Sequence, residues 1–146
     1  MNNVLIIYTD GACIKNPGTG GWGYHLEYNG HRKEEFGGEF ETTSNRMELT
    51  AVIKALEAVK RPCEIIVYSD SQYVINGISK WIYNWKRKNW HNVKNVDLWQ
   101  QLDALRENHR ITWQWVKGHN GNPGNMLADS LANRGAKKTH KLKKKR

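Results

Sequence analysis

The chain has 146 residues, of which 38% are hydrophobic and 25% charged; this suits one folded domain with its own core and argues against a disordered chain. Its formal charge is +9, but seven Lys/Arg and no acid fall in residues 137–146, and five more with no acid fall in residues 80–94. The remainder is slightly acidic, a distribution that points to a polyanionic partner held beside an acidic centre. The apolar run Val4–Tyr8 is too short for a signal-peptide core or a membrane span. The two cysteines, Cys13 and Cys63, lack C-x-x-C spacing, which argues against a zinc site or a disulfide framework and fits a reducing, cytoplasmic setting.

The first strand is expected at about residues 4–9, "VLIIYT", a nearly continuous apolar run of the kind covered on both faces. A Gly-rich loop follows. Residues 22–28 and 33–40 then flank Asn29-Gly30, a strong hairpin signal. A helix is predicted from about Arg46 to Lys60, with Met47, Ala51, Val52, Ala55, Leu56 and Val59 inward and Pro62 beyond its end.

The next strand is expected at 64–69 and ends in Tyr68-Ser69-Asp70, much as the first ends in Tyr8-Thr9-Asp10. A helical stripe, Val74, Ile78, Trp81 and Trp85, comes after it, then a helix at about 96–107, a strand in "ITWQWV" and a last helix from Pro123 to about Lys137. Later strands separated by helices predict parallel pairing through right-handed crossovers, an α/β arrangement. Ligands in such sheets gather at the carboxyl ends of the strands, where Asp10 and Asp70 stand.

Taken singly, each acid has a commoner use. Asp10-Gly11 makes a good turn, Asp70 a good helix cap, Glu48 a capping partner for Asn45, and Asp129 an ordinary solvated helix residue. Taken together, Glu48 in the first turn of its helix and Asp129 early in the last one both reach the edge where Asp10 and Asp70 end. Four converging carboxylates repel one another unless cations lie between them. A set of oxygen ligands without Cys or His selects Mg²⁺ or Mn²⁺ over zinc, and two such ions suit phosphodiester hydrolysis. His119, in the loop "KGHNGNPGN", leads toward Asp129 and can move protons near neutral pH.

The stretches "YTDGACIKNPGTGGWG", "TTSNRMELTAVIKALEAV", "YSDSQYV", "KNVDLW" and "WVKGHNGNPGNMLAD" together resemble ribonuclease H of type 1, and the bacterial single-domain enzymes most. The resemblance covers about residues 4–136. It implies a mixed five-stranded sheet, three antiparallel strands followed by parallel ones, with crossover helices on both faces. It implies Mg²⁺-dependent cutting of the RNA strand of RNA/DNA hybrids, leaving 3′-hydroxyl and 5′-phosphate ends. The family's acidic cluster falls on Asp10, Glu48, Asp70 and Asp129, and its mobile histidine on His119.

The same resemblance places Cys13, Asn16, Ser44, Asn45 and Gln72 in the minor groove, where a 2′-hydroxyl distinguishes RNA from DNA, and Thr43 at a DNA phosphate. The basic aromatic block with Trp81, Trp85, Lys86, Arg87, Lys88, Trp90 and Lys94 matches a handle that touches the DNA strand, shorter here by a few residues between Trp90 and Lys94. The stripe through Val74 and Ile78 also makes Trp81 and Trp85 part of the core. Met126 stands where many relatives carry glutamate, which predicts a changed metal optimum or turnover. Residues 1–136 form the expected domain. Residues 137–146 are expected to be a disordered polybasic tail that raises nonspecific nucleic-acid affinity.

Two other readings use the same fold: a non-catalytic hybrid-binding module and a recombinase-like relative. The complete acid set argues against the first, and the length leaves no room for the second's flanking domains. An isolated reverse-transcriptase domain is a further alternative, against which the complete handle and Met1 favour a free-standing monomer with no obligate protein partner.

Overall fold

A computed structural model describes residues 3–118 and 121–144. Three strands come first, β1 (Val4–Cys13), β2 (Gly18–Tyr28) and β3 (His31–Thr42), followed by helix α1 (Ser44–Glu57) and strand β4 (Glu64–Ser69). Then come α2 (Gln72–Asn76), a π-helical stretch α3 (Gly77–Trp81), α4 (Ile82–Arg87), α5 (Val96–Arg106), β5 (Arg110–Trp115) and α6 (Pro123–Lys144). The sheet order is β3-β2-β1-β4-β5. β1, β2 and β3 are antiparallel neighbours, while β4 runs parallel to both β1 and β5. No described helix is long and apolar enough to cross a membrane.

The two faces of the sheet are covered by different helices. In β1 the alternate residues Leu5, Ile7 and Thr9 are buried. Leu5 and Ile7, with Ile65 and Val67 of β4, meet Leu49, Val52, Ile53 and Leu56 of α1, backed by Val74, Ile78, Trp99 and Leu102. Each large side chain buried in this layer contributes about 1.5–3 kcal/mol relative to exposure. On the opposite face, α6 crosses β1, β2 and β3. Beside the buried Leu131, most of its inward residues are small, Ala128, Ala132, Gly135 and Ala136, so its backbone lies close against the strands, as at Gly21 and Gly23.

The helix boundaries differ from the sequence reading in four informative places. Thr43 rather than Asn45 caps α1, because its extended backbone lets Oγ1 accept from the Arg46 N–H at 3.2 Å. Asn45 lies inside the helix and Glu48 therefore falls in the second turn. Ser71 rather than Asp70 caps α2, accepting from the Val74 N–H. The helical stripe after Asp70 is not one continuous α-helix, for Gly77–Trp81 winds as π-helix where the Trp99 ring presses on Gly77.

The last helix corrects the expected disorder after residue 136, because α6 continues to Lys144. Lys138 sits over the Phe36 ring, 5.8 Å from its centroid, and Lys143 Nζ reaches Glu41 Oε1 at 2.9 Å. Lysines in the final turns also oppose the negative end of the helix dipole.

Candidate active site

The repeated Tyr-hydroxyl-Asp pattern acquires its meaning from strand register. Tyr8 pairs with Tyr68 and Thr9 with Ser69 across the parallel β1–β4 ladder. The tyrosine rings stack with centroids 4.9 Å apart. Two parallel strands in register that each finish in aspartate must deliver both carboxylates to one place, and Asp10 and Asp70 are the next residues along.

Glu48 arrives from above. Gly11 has no side chain, and a β-carbon there would lie 2.5 Å from the Met47 carbonyl carbon and 2.9 Å from Glu48 Cα. The α1 backbone therefore settles directly on β1 at this point. Ligand oxygens of Asp10, Glu48 and Asp70 all lie within 4.8 Å of one another. Asp129, in the second turn of α6, is outside that tight trio but interacts with the Asp10 carboxyl. Asp10 pairs with Gly23, which lies under the α6 backbone at Ala128, and this register explains how a residue of α6 reaches it.

The electrostatics are those of a site lacking counter-charge. Burial, then the neighbouring Asp70, pushes the Asp10 carboxyl up to about 8. Burial, then Asp10 and Asp70, raises Glu48 well above the usual carboxylate range. Glu48 Oε1 is buried with no hydrogen-bond partner among the described residues. Desolvating an acceptor in this way is costly unless a cation or donor meets it. Close hard oxygens, mutual repulsion and an unsatisfied buried oxygen together fit a divalent metal.

The loop that carries His119 begins beside this centre, since a β-carbon on Gly118 would lie 2.8 Å from Asp70 Oδ2. His119 itself lies outside the described residues. Trp115 Nε1 donates to the Asp70 backbone oxygen at 3.1 Å, so β5 also helps to hold this strand end.

Four of the five residues expected in the minor groove lie at or beside the entry to α1. Cys13 ends β1, and its Sγ donates to the Lys15 oxygen at 3.1 Å. The Ser44 N–H donates to Asn16 Oδ1 at 3.2 Å, tying the Gly-rich loop to the helix start beside Thr43 and Asn45. Gln72 is exposed at the start of α2.

The handle residues divide into two groups. Trp85 and Trp90 pack against the core, whereas Trp81 is exposed. Trp90 thus has a structural use that its sequence neighbours did not suggest. Lys86 is held by Asp103 at 3.0 Å, and Arg87 donates to Asn84 Oδ1 at 3.3 Å. Arg87, Lys88 and Lys94 are exposed.

One group was missed from the sequence. The Arg46 guanidinium grips Asp97 through both carboxylate oxygens, at 3.0 and 2.8 Å, and also donates to Asn95 Oδ1 at 3.2 Å. Asn95 Nδ2 and Trp99 Nε1 both donate to the Tyr73 hydroxyl, each at 3.0 Å. The network couples the α1 entry to the end of the handle. Nothing in the local sequence signals a pairing across about fifty positions.

Comparison with known proteins agrees with this geometry. The RNase H family model matches residues 2–137. A protein named Ribonuclease H from Cupriavidus metallidurans is 61% identical over 136 residues, covering 90% of this chain and 94% of that protein. Ribonuclease HI of Neisseria meningitidis serogroup A is 56% identical over 141 residues, covering 93% and 97%. Among solved structures, LC9-RNase H1, described as a type 1 RNase H with the type 2 active-site motif, superposes with a TM-score of 0.84 at 29% identity, covering 93% of this chain and 73% of that one. A five-stranded sheet that brings three carboxylates together at its parallel strand ends, and a family match along nearly its whole length, place the chain in the RNase H family.

Proposed function

We propose that this chain is an endoribonuclease that hydrolyses the RNA strand of RNA/DNA hybrids, with Asp10, Glu48, Asp70 and Asp129 holding divalent ions, Mg²⁺ first and Mn²⁺ as a substitute. The observation that carries the metal assignment is the carboxylate trio, with ligand oxygens within 4.8 Å and one Glu48 oxygen buried without a partner. Divalent ions at such a site lower the pKa of water and neutralise charge gathering on a phosphodiester. The chain's own part is to hold its carboxylates rigidly at two in-register strand ends and one helix, so that little reorganisation accompanies the reaction.

Recognition of the RNA strand falls to the short polar side chains Cys13, Asn16, Ser44 and Asn45 around the α1 entry and Gln72 at the start of α2, which can exchange hydrogen bonds with 2′-hydroxyls. Thr43 serves a DNA phosphate, and the exposed Trp81, Arg87, Lys88 and Lys94, with Trp85, Lys86 and Trp90 behind them, form the handle for the DNA strand. Contacts of this kind give affinity that depends on salt and little on sequence. His119 moves protons at the leaving and attacking oxygens. The enzyme works as a cytoplasmic monomer and leaves products that carry 5′-phosphate and 3′-hydroxyl ends.

The test is one sequence presented as RNA/DNA hybrid, duplex RNA, duplex DNA and single strands, incubated with Mg²⁺ or Mn²⁺. Cutting confined to the RNA of the hybrid supports the proposal. Tight hybrid binding without cutting under either ion would make the chain a binding module instead.

A further inference from the structure

The basic residues of α6 form an ordered surface that the reading above does not use. Arg134, Lys137, Lys138 and Lys141 recur at helical spacing on its outer face. Together with Asn133 and Asp129 they line a furrow of about 640 Å³. None of the four forms an ion pair with another described acid. The surface is fixed in place rather than loose. Arg134 and Lys138 both lie over the Phe36 ring, 5.4 and 5.8 Å from its centroid, and the Lys143–Glu41 pair holds the far end of the helix to β3. Preorganised cations lose less conformational freedom when they bind than cations on a flexible tail do.

The furrow's position identifies its ligand. It opens at Asp129, whose carboxylate interacts with Asp10, and twelve residues of helix carry it about 18 Å away from there. Phosphates of one strand recur about every 3.4 Å along a duplex axis, so four cations over this length can face several successive phosphates. A strand whose phosphodiester lies over the carboxylates is the strand being cut, and a strand running on from them along the furrow would be that same strand.

We infer that the outer face of α6 is a seat for the phosphates of the cut RNA strand on one side of the scissile bond. The inference rests on the hybrid-nuclease reading. It adds a second cationic surface, separate from the handle, for the other strand of the hybrid.

The experiment uses the full chain and a hybrid with a single cut site. KM and kcat are measured from 50 to 300 mM salt for the wild type, for the pair K137Q/K141Q, and for R134Q/K137Q/K138Q/K141Q. The pair leaves both contacts to Phe36 intact, so it reads the surface even if the fourfold variant folds poorly. Each lost phosphate contact should lower the slope of log KM against log salt by about 0.7–0.9. KM should rise several-fold at physiological salt with kcat unchanged. Trimming the RNA close to the cut on one side should raise the wild-type KM and leave the fourfold variant's KM unaltered.

A wild type that cuts the hybrid, with both variants sharing its KM and salt slope, would overturn the inference and leave the nuclease reading standing. Equal responses of wild type and fourfold variant to trimming the RNA on either side of the cut would also overturn it, by assigning the cations to the DNA strand or to bulk charge. A wild type that cuts no hybrid would overturn the nuclease reading itself.

Discussion

The backbones of Gly11 and Glu48 press together: any β-carbon on Gly11 would sit against the Glu48 backbone nitrogen. This single close approach sets the height of α1 above β1, and with it the distance from Glu48 to Asp10. Gly11→Ala should therefore lift the helix start and open the carboxylate trio. The expected result is a loss of kcat of tenfold or more, with weaker Mg²⁺ binding measured by calorimetry. Full activity in Gly11→Ala would show that the site tolerates a displaced Glu48.

The raised Asp10 carboxyl makes metal-free stability depend on pH. Its ordinary value is 3.8, and in the fold it stands at about 8. Between these values the native state keeps a proton that the unfolded chain releases. Stability therefore falls as pH rises from about 4 to about 8, and the full cost is present above that. Thermal unfolding in chelator should show Tm declining across this window. Mg²⁺ added at pH 8 should restore it, since an ion that binds only the native state stabilises it. Asp10→Asn should flatten the pH dependence. A wild-type Tm that rises steadily from pH 4 to 8 in chelator would contradict the burial and repulsion assigned to this group.

The Arg46–Asp97 clamp joins the entry of α1 to the end of the basic aromatic segment. Both side chains are partly exposed, so the pair itself is worth only about 1 kcal/mol despite its bidentate geometry. Arg46→Ala should lower Tm by a few degrees, at about 2–4 °C per kcal/mol for a chain of this size. KM should rise more than kcat falls, because Asn95 and the handle end lose their tether. A change in kcat alone would place Arg46's influence on the carboxylates instead.

Gly77 lies against the fully buried Trp99 ring. Gly77→Ala drives a methyl into that ring, and overpacking of this kind costs about 1–3 kcal/mol. Denaturant unfolding should report the loss, with catalysis per folded molecule retained. An unchanged unfolding midpoint would mean that the π-helical turn can shift to make room.

Met126 is exposed one turn before Asp129 in α6. Met126→Glu adds a carboxylate there and should shift the Mg²⁺ and Mn²⁺ concentrations that give half-maximal rate. Superimposable metal profiles for the two proteins would remove this position from the account.

Much of the site is legible because it depends on local patterns. The two Tyr-hydroxyl-Asp strand ends, the Asn29-Gly30 hairpin and the apolar face of α1 are all short-range signals, and with the parallel pairing that intervening helices predict they place Asp10, Glu48 and Asp70 on one edge. What stays hidden depends on tertiary competition. Thr43 and Asn45 are both competent caps, and the extended entry of the chain decides for Thr43. Asp70 and Ser71 compete likewise, and Ser71 takes the cap. The basic run after residue 136 reads as disorder until Phe36 and Glu41 of β3 are placed beneath it. The packing of Trp90 against the core likewise shows only once that core is assembled.

The central claim is that this carboxylate centre, with a divalent ion, cuts RNA paired to DNA. Its most direct test is cleavage of an end-labelled RNA in one hybrid by the wild type and Asp10→Asn, each with Mg²⁺ and with chelator. The account predicts discrete RNA fragments only for the wild type with Mg²⁺, and a rate lower by at least about a thousandfold for Asp10→Asn, as loss of charge at a metal-held phosphodiester would give. Equal cutting by Asp10→Asn, or cutting that survives the chelator, would contradict it.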